Sequence, residues 1–300
     1  MASYFDEIAS NKLKSIILFA VFMLLFLGII YFFVILFGGG PIMLAIGFII
    51  VLLYAMFSYF LGDKMVLRLS KAKEADKAKY QSLYSIVEGL AAASQLPMPK
   101  IYIINDQNPN AFATGKNRKA SSIAVTSGLL AMMNRNELEG VLAHEMSHIY
   151  NNDILFMMMA VVFAGSIGLM SAFIRNIMFF GGIGGGRGRD HYAYLELIGF
   201  IIGLLAPLFA LMLRLAISRR REYMADANGA RLIRNPEALA SALGKIQAYE
   251  KNPSSRPVAA ANEINASLYF ANPFKASSIM NLFSTHPPIE ERIKRLKAMY

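Results

Sequence analysis

The sequence predicts a mainly α-helical membrane protein with a small α+β part set between apolar helices. Three observations predict it. The 300 residues are 56% hydrophobic, and their charge is clustered instead of interspersed. The apolar residues gather in four runs, each about as long as a helix needs to cross a bilayer, ~20 residues. The polar stretch between the second and third runs holds strand-like segments, followed by the helical pattern His144-Glu145-Met146-Ser147-His148.

A net charge of +10 would suit nucleic acid, but no basic helix with interleaved aromatics occurs. The basic residues crowd beside the apolar runs, as anchoring at an anionic cytoplasmic leaflet requires. The expected partner is therefore a bilayer and no nucleic acid. The chain has no cysteine, which excludes disulfides and thiolate metal sites.

The first apolar run extends from Leu13 to Phe37. It is too long for the apolar part of a signal peptide and no small-residue cleavage site follows, so it reads as a retained span. Gly38-Gly39-Gly40-Pro41 is a turn, and a second span follows from about Ile42 to Leu61. Lys64, Arg68, Lys71 and Lys73 come directly after it, while the turn carries no charge. The excess of cations predicts that the N-terminus and the chain from residue 64 onward lie in the cytoplasm. Asp63 to Ala93 reads as a linker helix, ended by Pro97-Met98-Pro99. Ile101–Ile104, Ala111–Thr114 and Ser122–Thr126 read as short strands, the last two joined by a loop at Gly115–Lys119. Such a hairpin, just before the motif helix, is either structural or supplies an edge strand (Asn110, Ala111, Phe112, Ala113) to which an extended peptide adds.

Ile154 to Ile174 forms the third apolar run, rich in small residues suited to helix packing. The glycine-rich stretch 181–188 fits no phosphate-binding register and has no strand leading in, so it reads as a loop. Leu195 to Ile217 is the fourth run, closed by Arg219-Arg220-Arg221. If both runs span, the hairpin returns the chain to the side it left, and the segments before and after it meet at the cytoplasmic surface. The domains expected are 1–62, a membrane hairpin; 63–153, with the motif helix; 154–217, a second hairpin; and 218–300.

The motif carries the chemistry. On a helix, His144 and His148 lie one above the other, so both imidazoles can reach one ion. Glu145, one step round, can meet a water activated by that ion and act as general base toward a carbonyl. Zn²⁺ suits imidazole nitrogens and, with three protein ligands, keeps a position open. The third ligand is sought after the fourth run, where Glu222-Tyr223-Met224-Ala225-Asp226 opens a helix. Alone, Glu222 would read as a surface charge paired with the preceding arginines; beside a two-histidine helix it reads as the ligand. Asp226, one turn on, can accept a hydrogen bond from the far nitrogen of a ligand imidazole and fix its orientation. His191, in the glycine-rich loop, and His286 are the rival ligands.

With these residues in place, the chain resembles the HtpX family, the integral-membrane zinc metalloproteases among the M48 peptidases. The resemblance runs through the two N-terminal spans, Asn110–Gly115, Val141–His148, the two later apolar runs, Glu222–Asp226 and Ser284-Thr285-His286-Pro287-Pro288. It covers nearly the whole chain. It implies that His144, His148 and Glu222 bind one zinc per chain, that Glu145 is the catalytic base, and that Asp226 supports the ligands. It also implies cleavage of misfolded or damaged membrane proteins in envelope quality control, from the inner membrane with the active site and both termini cytoplasmic. The architecture expected is thus a zincin-like α+β catalytic domain, with the second apolar hairpin inserted between its metal-binding helices. At the C-terminal end, Pro287 and Pro288 open a helix with an apolar stripe of Ile289, Ile293 and Leu296, and Arg292 reads as surface. His286, just before it, stabilises an oxyanion, caps the helix or packs structurally. The competing function is a non-catalytic adaptor or holdase with a structural zinc, which His286 as fourth ligand would favour. Transport is weak, because the ionisable residues of the runs are few and lie near their ends.

Overall fold

The computed structural model describes residues 40–162, 219–252, 269–270 and 287–299, with scattered positions between 13 and 35. Residues 163–218, with the fourth run, the glycine-rich loop and His191, lie outside the described residues, as does His286. The described positions between 13 and 35 are helical. Among the described residues, one helix is long and apolar enough to cross a membrane, α1 (Pro41–Leu69). Proline in its first turn suits a helix start, where an amide would lack a partner anyway. Ile42, Met43, Ile46, Ile49, Ile50 and Leu53 are more than half exposed.

The helix runs past Leu61, where the sequence placed its end. The predicted helix from Asp63 to Ala93 is three elements instead: the end of α1, a short strand β1 (Lys73–Glu74), and α2 (Gln81–Ala93). The break falls at Lys71, in the left-handed region at φ 53°. There the chain turns so that the Ala75 amide donates to the Ile101 carbonyl at 2.9 Å.

The sheet contains β1, β2 (Lys100–Ile104), β3 (Ala111–Asn117) and β4 (Ala120–Thr126), in the order β1-β2-β4-β3. β2 and β4 are parallel and the other pairs antiparallel. β3 is therefore an edge. The hairpin is tighter than the sequence suggested, with only Arg118 and Lys119 between the strands. A short helix α3 (Ser127–Met132) follows, capped by the Thr126 hydroxyl on the Leu129 amide.

The motif lies on α4 (Arg135–Tyr150), which starts at a reciprocal cap: Asn134 Oδ1 accepts from the Glu137 amide, and Glu137 Oε2 accepts from the Asn134 amide. The buried Glu137 also accepts from Ser241 Oγ at 2.8 Å and Lys245 Nζ at 2.6 Å, tying the start of α4 to a later helix. After α4 come α5 (Asp153–Val162), α6 (Arg219–Ile233), α7 (Pro236–Lys251) and α8 (Ile289–Lys297). The core sits where α2, α4, α7 and α8 meet the sheet, around Val87, Leu90, Ile123, Leu142, Met146, Leu243 and Leu296.

α5, the start of the third apolar run, lies along α1. A side chain at Gly62 would meet Met158 at 3.2 Å and Val162 at 3.3 Å, and Tyr54 donates to the Val162 carbonyl at 3.5 Å. The motif helix thus leads directly into a segment seated on the long apolar helix.

A carboxyl pair at the α7–α8 contact gives a pH-dependent expectation. Burial, then the neighbouring Glu290, pushes Glu250 up to about 7, and its Oε1 has no hydrogen-bond partner among the described residues. The folded state therefore holds this proton more tightly than the unfolded chain, and its contribution to stability is lost as pH rises from about 4.5 to about 7. Glu250→Gln should raise stability at pH 8 by about 1 kcal/mol, a few degrees in Tm, and leave it unchanged at pH 4. Thermal unfolding at the two pH values measures the difference.

Candidate metal centre

The two histidines come to one point because α4 is an uninterrupted helix through His144–His148 and is packed on both sides at backbone distance. A Cβ on Gly140 would sit 2.9 Å from the Leu239 amide nitrogen of α7, and one on Gly229 would sit 2.9 Å from the His144 nitrogen. Glycine at 229 lets α6 approach so closely that its Glu222 faces the imidazoles. His144, His148 and Glu222 are all at most 3% exposed. His144 Nε2 and His148 Nε2 are 3.1 Å apart, and each lies near a Glu222 oxygen, at 3.7 and 3.5 Å.

These separations fit a metal. Two donors each about 2.0–2.1 Å from one ion at a tetrahedral angle lie roughly 3.3–3.4 Å apart. The three residues form a group that could hold an ion, with two nitrogens and one carboxylate, the donor set that zinc favours. Both Nδ1 atoms are engaged elsewhere, which leaves the Nε2 lone pairs for the ion. His144 Nδ1 is 2.9 Å from Asp226 Oδ1, and His148 Nδ1 is 3.1 Å from Asp153 Oδ2.

Asp153 was not singled out from the sequence as a partner of the site. It opens α5 after a two-residue break in which Asn152 adopts φ 57°, and this turn brings its carboxylate back to His148. Asp153→Asn is expected to weaken zinc binding by about 10- to 100-fold, as losses of carboxylates behind ligand histidines do. Competition with a chromophoric chelator reads it.

Arg292 corrects the sequence reading. It is fully buried, with Nε and Nη2 donating to the two oxygens of Asp226 at 2.8 and 2.7 Å, and Nη1 donating to the Phe270 carbonyl at 3.1 Å. The signal was in the sequence, since residue 292 falls on the same helical face as Ile289 and Leu296. On the other side, Arg221 lies over the Phe156 ring at 4.5 Å and within electrostatic reach of Asp153 and Glu222.

The electrostatics follow from burial and these pairs. Burial raises the Asp226 carboxyl, but Arg292 and His144 together outweigh it and hold the group at about 2. Burial lowers His144 to about 4, against the hydrogen bond to Asp226. His148 is also pushed down by burial, yet Asp153 and the charges of Glu222 and Glu145 lift it to about 9. Glu145, 2% exposed, is raised by burial to about 7, with His148 opposing and Glu222 assisting. Its carboxylate accepts the Ala113 amide.

The four edge-strand residues lie beside this centre. Asn110–Ala113 are buried, the Ala111 carbonyl accepts the Phe270 amide at 2.8 Å, and Phe270 meets the His144 ring edge-on at 4.9 Å. The edge of β3 is thus covered in this structure, by Phe270 at one residue and Glu145 two residues on.

Residues 77–300 match the family model described as peptidase family M48. A protein named protease HtpX homolog from Caldanaerobacter subterraneus subsp. tengcongensis is 46% identical over 97% of this chain and 96% of its own. A second of that name, from Dictyoglomus turgidum, is 44% identical over 99% of this chain and 95% of its own. The crystal structure of S. mikatae Ste24p is a distant likeness, 22% identical with a TM-score of 0.48 over 83% of this chain and 57% of that one. With a family match over most of its length and such relatives over nearly all of it, the chain belongs to peptidase family M48 and is a metallopeptidase.

Proposed function

We propose that this chain is a membrane-embedded zinc endopeptidase in which His144, His148 and Glu222 hold the zinc and Glu145 is the general base. One observation carries the reading: two imidazole nitrogens and a carboxylate converge in a buried site, with a second carboxylate one residue along the same helix. Bound zinc would supply Lewis acidity toward a scissile carbonyl and acidify the attacking water.

The chain's own residues do the rest. Asp226 and Asp153 hold the two rings with Nδ1 donating. Glu145 accepts the proton of the attacking water and returns it to the leaving amine; its burial keeps its proton affinity near neutrality, where such transfer is efficient. The edge of β3, at Asn110, Ala111, Phe112 and Ala113, is assigned to the main chain of an extended substrate. A peptide pairing there would take over the Ala111 carbonyl and the Ala113 amide.

The relatives are named proteases, and the centre is joined through α5 to the long apolar α1. Together these support misfolded or damaged membrane proteins as substrates, cleaved in quality control of the envelope. The alternative, an adaptor or holdase with a structural zinc, is less well supported: structural sites are closed by four protein ligands, and a buried base beside the ion has no role in one. Removing the metal with a strong chelator should abolish cleavage of an unfolded protein in detergent, and one equivalent of zinc should restore it. Full activity in a metal-free sample would refute the reading.

The exposed Lys64, Arg68, Lys71 and Lys73 directly after the apolar part of α1 support a site on the cytoplasmic side of the inner membrane. Because the chain lacks cysteine, Lys119→Cys, at the exposed hairpin tip, reports its own side alone. An impermeant maleimide should label it in inverted membrane vesicles and not in intact spheroplasts.

A further inference from the structure

We propose that Arg292 is a positioning residue for the metal centre: through Asp226 it fixes the ring of His144, and so links zinc affinity to the docking of the C-terminal helix α8. The inference rests on the reading of His144 as a zinc ligand.

Five contacts hold the guanidinium, one of them an ion pair from Nη1 to Glu222 Oε2 at 3.9 Å. Two of its nitrogens meet separate oxygens of Asp226 at 2.8 and 2.7 Å, a third donates to the Phe270 carbonyl at 3.1 Å, and its plane lies over the Phe270 ring at 4.7 Å. A carboxylate gripped at both oxygens cannot rotate. The oxygen that takes Arg292 Nη2 is the one 2.9 Å from His144 Nδ1. The 3.4 Å separation of Nη2 and Nδ1 follows from that shared acceptor. A guanidinium only donates and the carboxylate only accepts, so His144 must donate from Nδ1 and turn a bare Nε2 to the ion. Arg292 therefore sets both the angle and the tautomer of the ring.

Packing alone does not call for arginine here. Its face of α8 already carries Ile289, Ile293 and Leu296, and a buried ion pair is commonly no more stabilising than apolar residues of similar volume. What an apolar residue could not do is hold Asp226. Because coupling between two equilibria is reciprocal, zinc should in turn protect α8.

The test is zinc affinity, measured on the full-length protein in detergent by competition with a chromophoric chelator. Wild type is compared with Arg292→Lys, Arg292→Met, Asp226→Asn and the double variant Asp226→Asn/Arg292→Met, with unfolding of each metal-free protein as the check on folding. Arg292→Met is expected to bind zinc about 10- to 100-fold more weakly. Arg292→Lys should fall between, because a point charge cannot grip both oxygens. In the double variant the arginine change should add less than about twofold to the loss from Asp226→Asn, since both act on one path. Amide exchange in Ile289–Lys297 should slow on adding zinc to wild type and not to Arg292→Met. The proposal is overturned if a folded Arg292→Met, or Arg292→Lys should Met not fold, binds zinc within about twofold of wild type. It is equally overturned if the two losses multiply as independent sites do. A wild type that binds no zinc would instead overturn the site reading itself, and wild type alone reveals that.

Discussion

Replacing Glu145 with glutamine is expected to leave one zinc bound per chain and to remove about three orders of magnitude of cleavage rate. Glutamine has the same shape, and its carbonyl oxygen can still accept the Ala113 amide that the carboxylate now accepts. It is not among the three residues whose donor atoms converge, so the zinc should stay. What the amide cannot do is accept a proton from water and release it to an amine. Paired zinc analysis and single-turnover cleavage of an unfolded protein measure the two quantities separately. Loss of zinc together with activity would make Glu145 a structural part of the metal site, and retained activity would move the base elsewhere.

The second large effect is expected at Gly229, which is not among the three residues whose donor atoms converge. A methyl group there would sit 2.9 Å from the His144 nitrogen, 3.0 Å from the Ala143 carbonyl carbon and 3.1 Å from the His144 Cα, all backbone atoms that cannot swing aside. Gly229→Ala must therefore push α6 off α4, carrying Glu222 and Asp226 away from the imidazoles. Overpacking of this kind costs about 1–3 kcal/mol, and a shift of about 1 Å at reacting groups can cost ~100-fold in rate. We expect both losses, in thermal unfolding and in cleavage. Gly244→Ala is the control: the added carbon meets nothing within 4 Å, and α7 should gain up to about 1 kcal/mol from helix propensity. Equal behaviour of the two variants would show that close approach at residue 229 does not matter.

These residues mark how far the sequence could be read. The roles of His144, Glu145 and His148 were legible because helical periodicity alone puts the two histidines on one face and Glu145 one step round from them. Glu222 and Asp226 could be named because they share a turn, though what brings that turn to α4 is Gly229, whose importance lies in a contact with residues 85 and 86 positions earlier in the chain. Arg292 was read as surface because the apolar stripe was taken as Ile289, Ile293 and Leu296 alone; its partner Asp226 is 66 residues away, and only the packed fold joins them. Asp153 was hidden for a different reason. Its reach back to His148 depends on the left-handed turn at Asn152, which sequence spacing does not announce. The strands β2, β3 and β4 followed from composition, but the parallel pairing of β2 with β4 and the added β1 did not, because register between distant strands is set by tertiary contacts.

The central claim, a zinc held by two imidazoles and Glu222, is tested most directly by the zinc-edge X-ray absorption spectrum of the purified protein. Two imidazole nitrogens are expected at about 2.0–2.1 Å, with oxygen donors completing the shell. Glu222→Gln should lower zinc occupancy while leaving any bound ion with the same two imidazoles. A spectrum with three imidazoles would contradict the claim, since that would bring His286 or His191 into the shell and favour a closed, structural zinc.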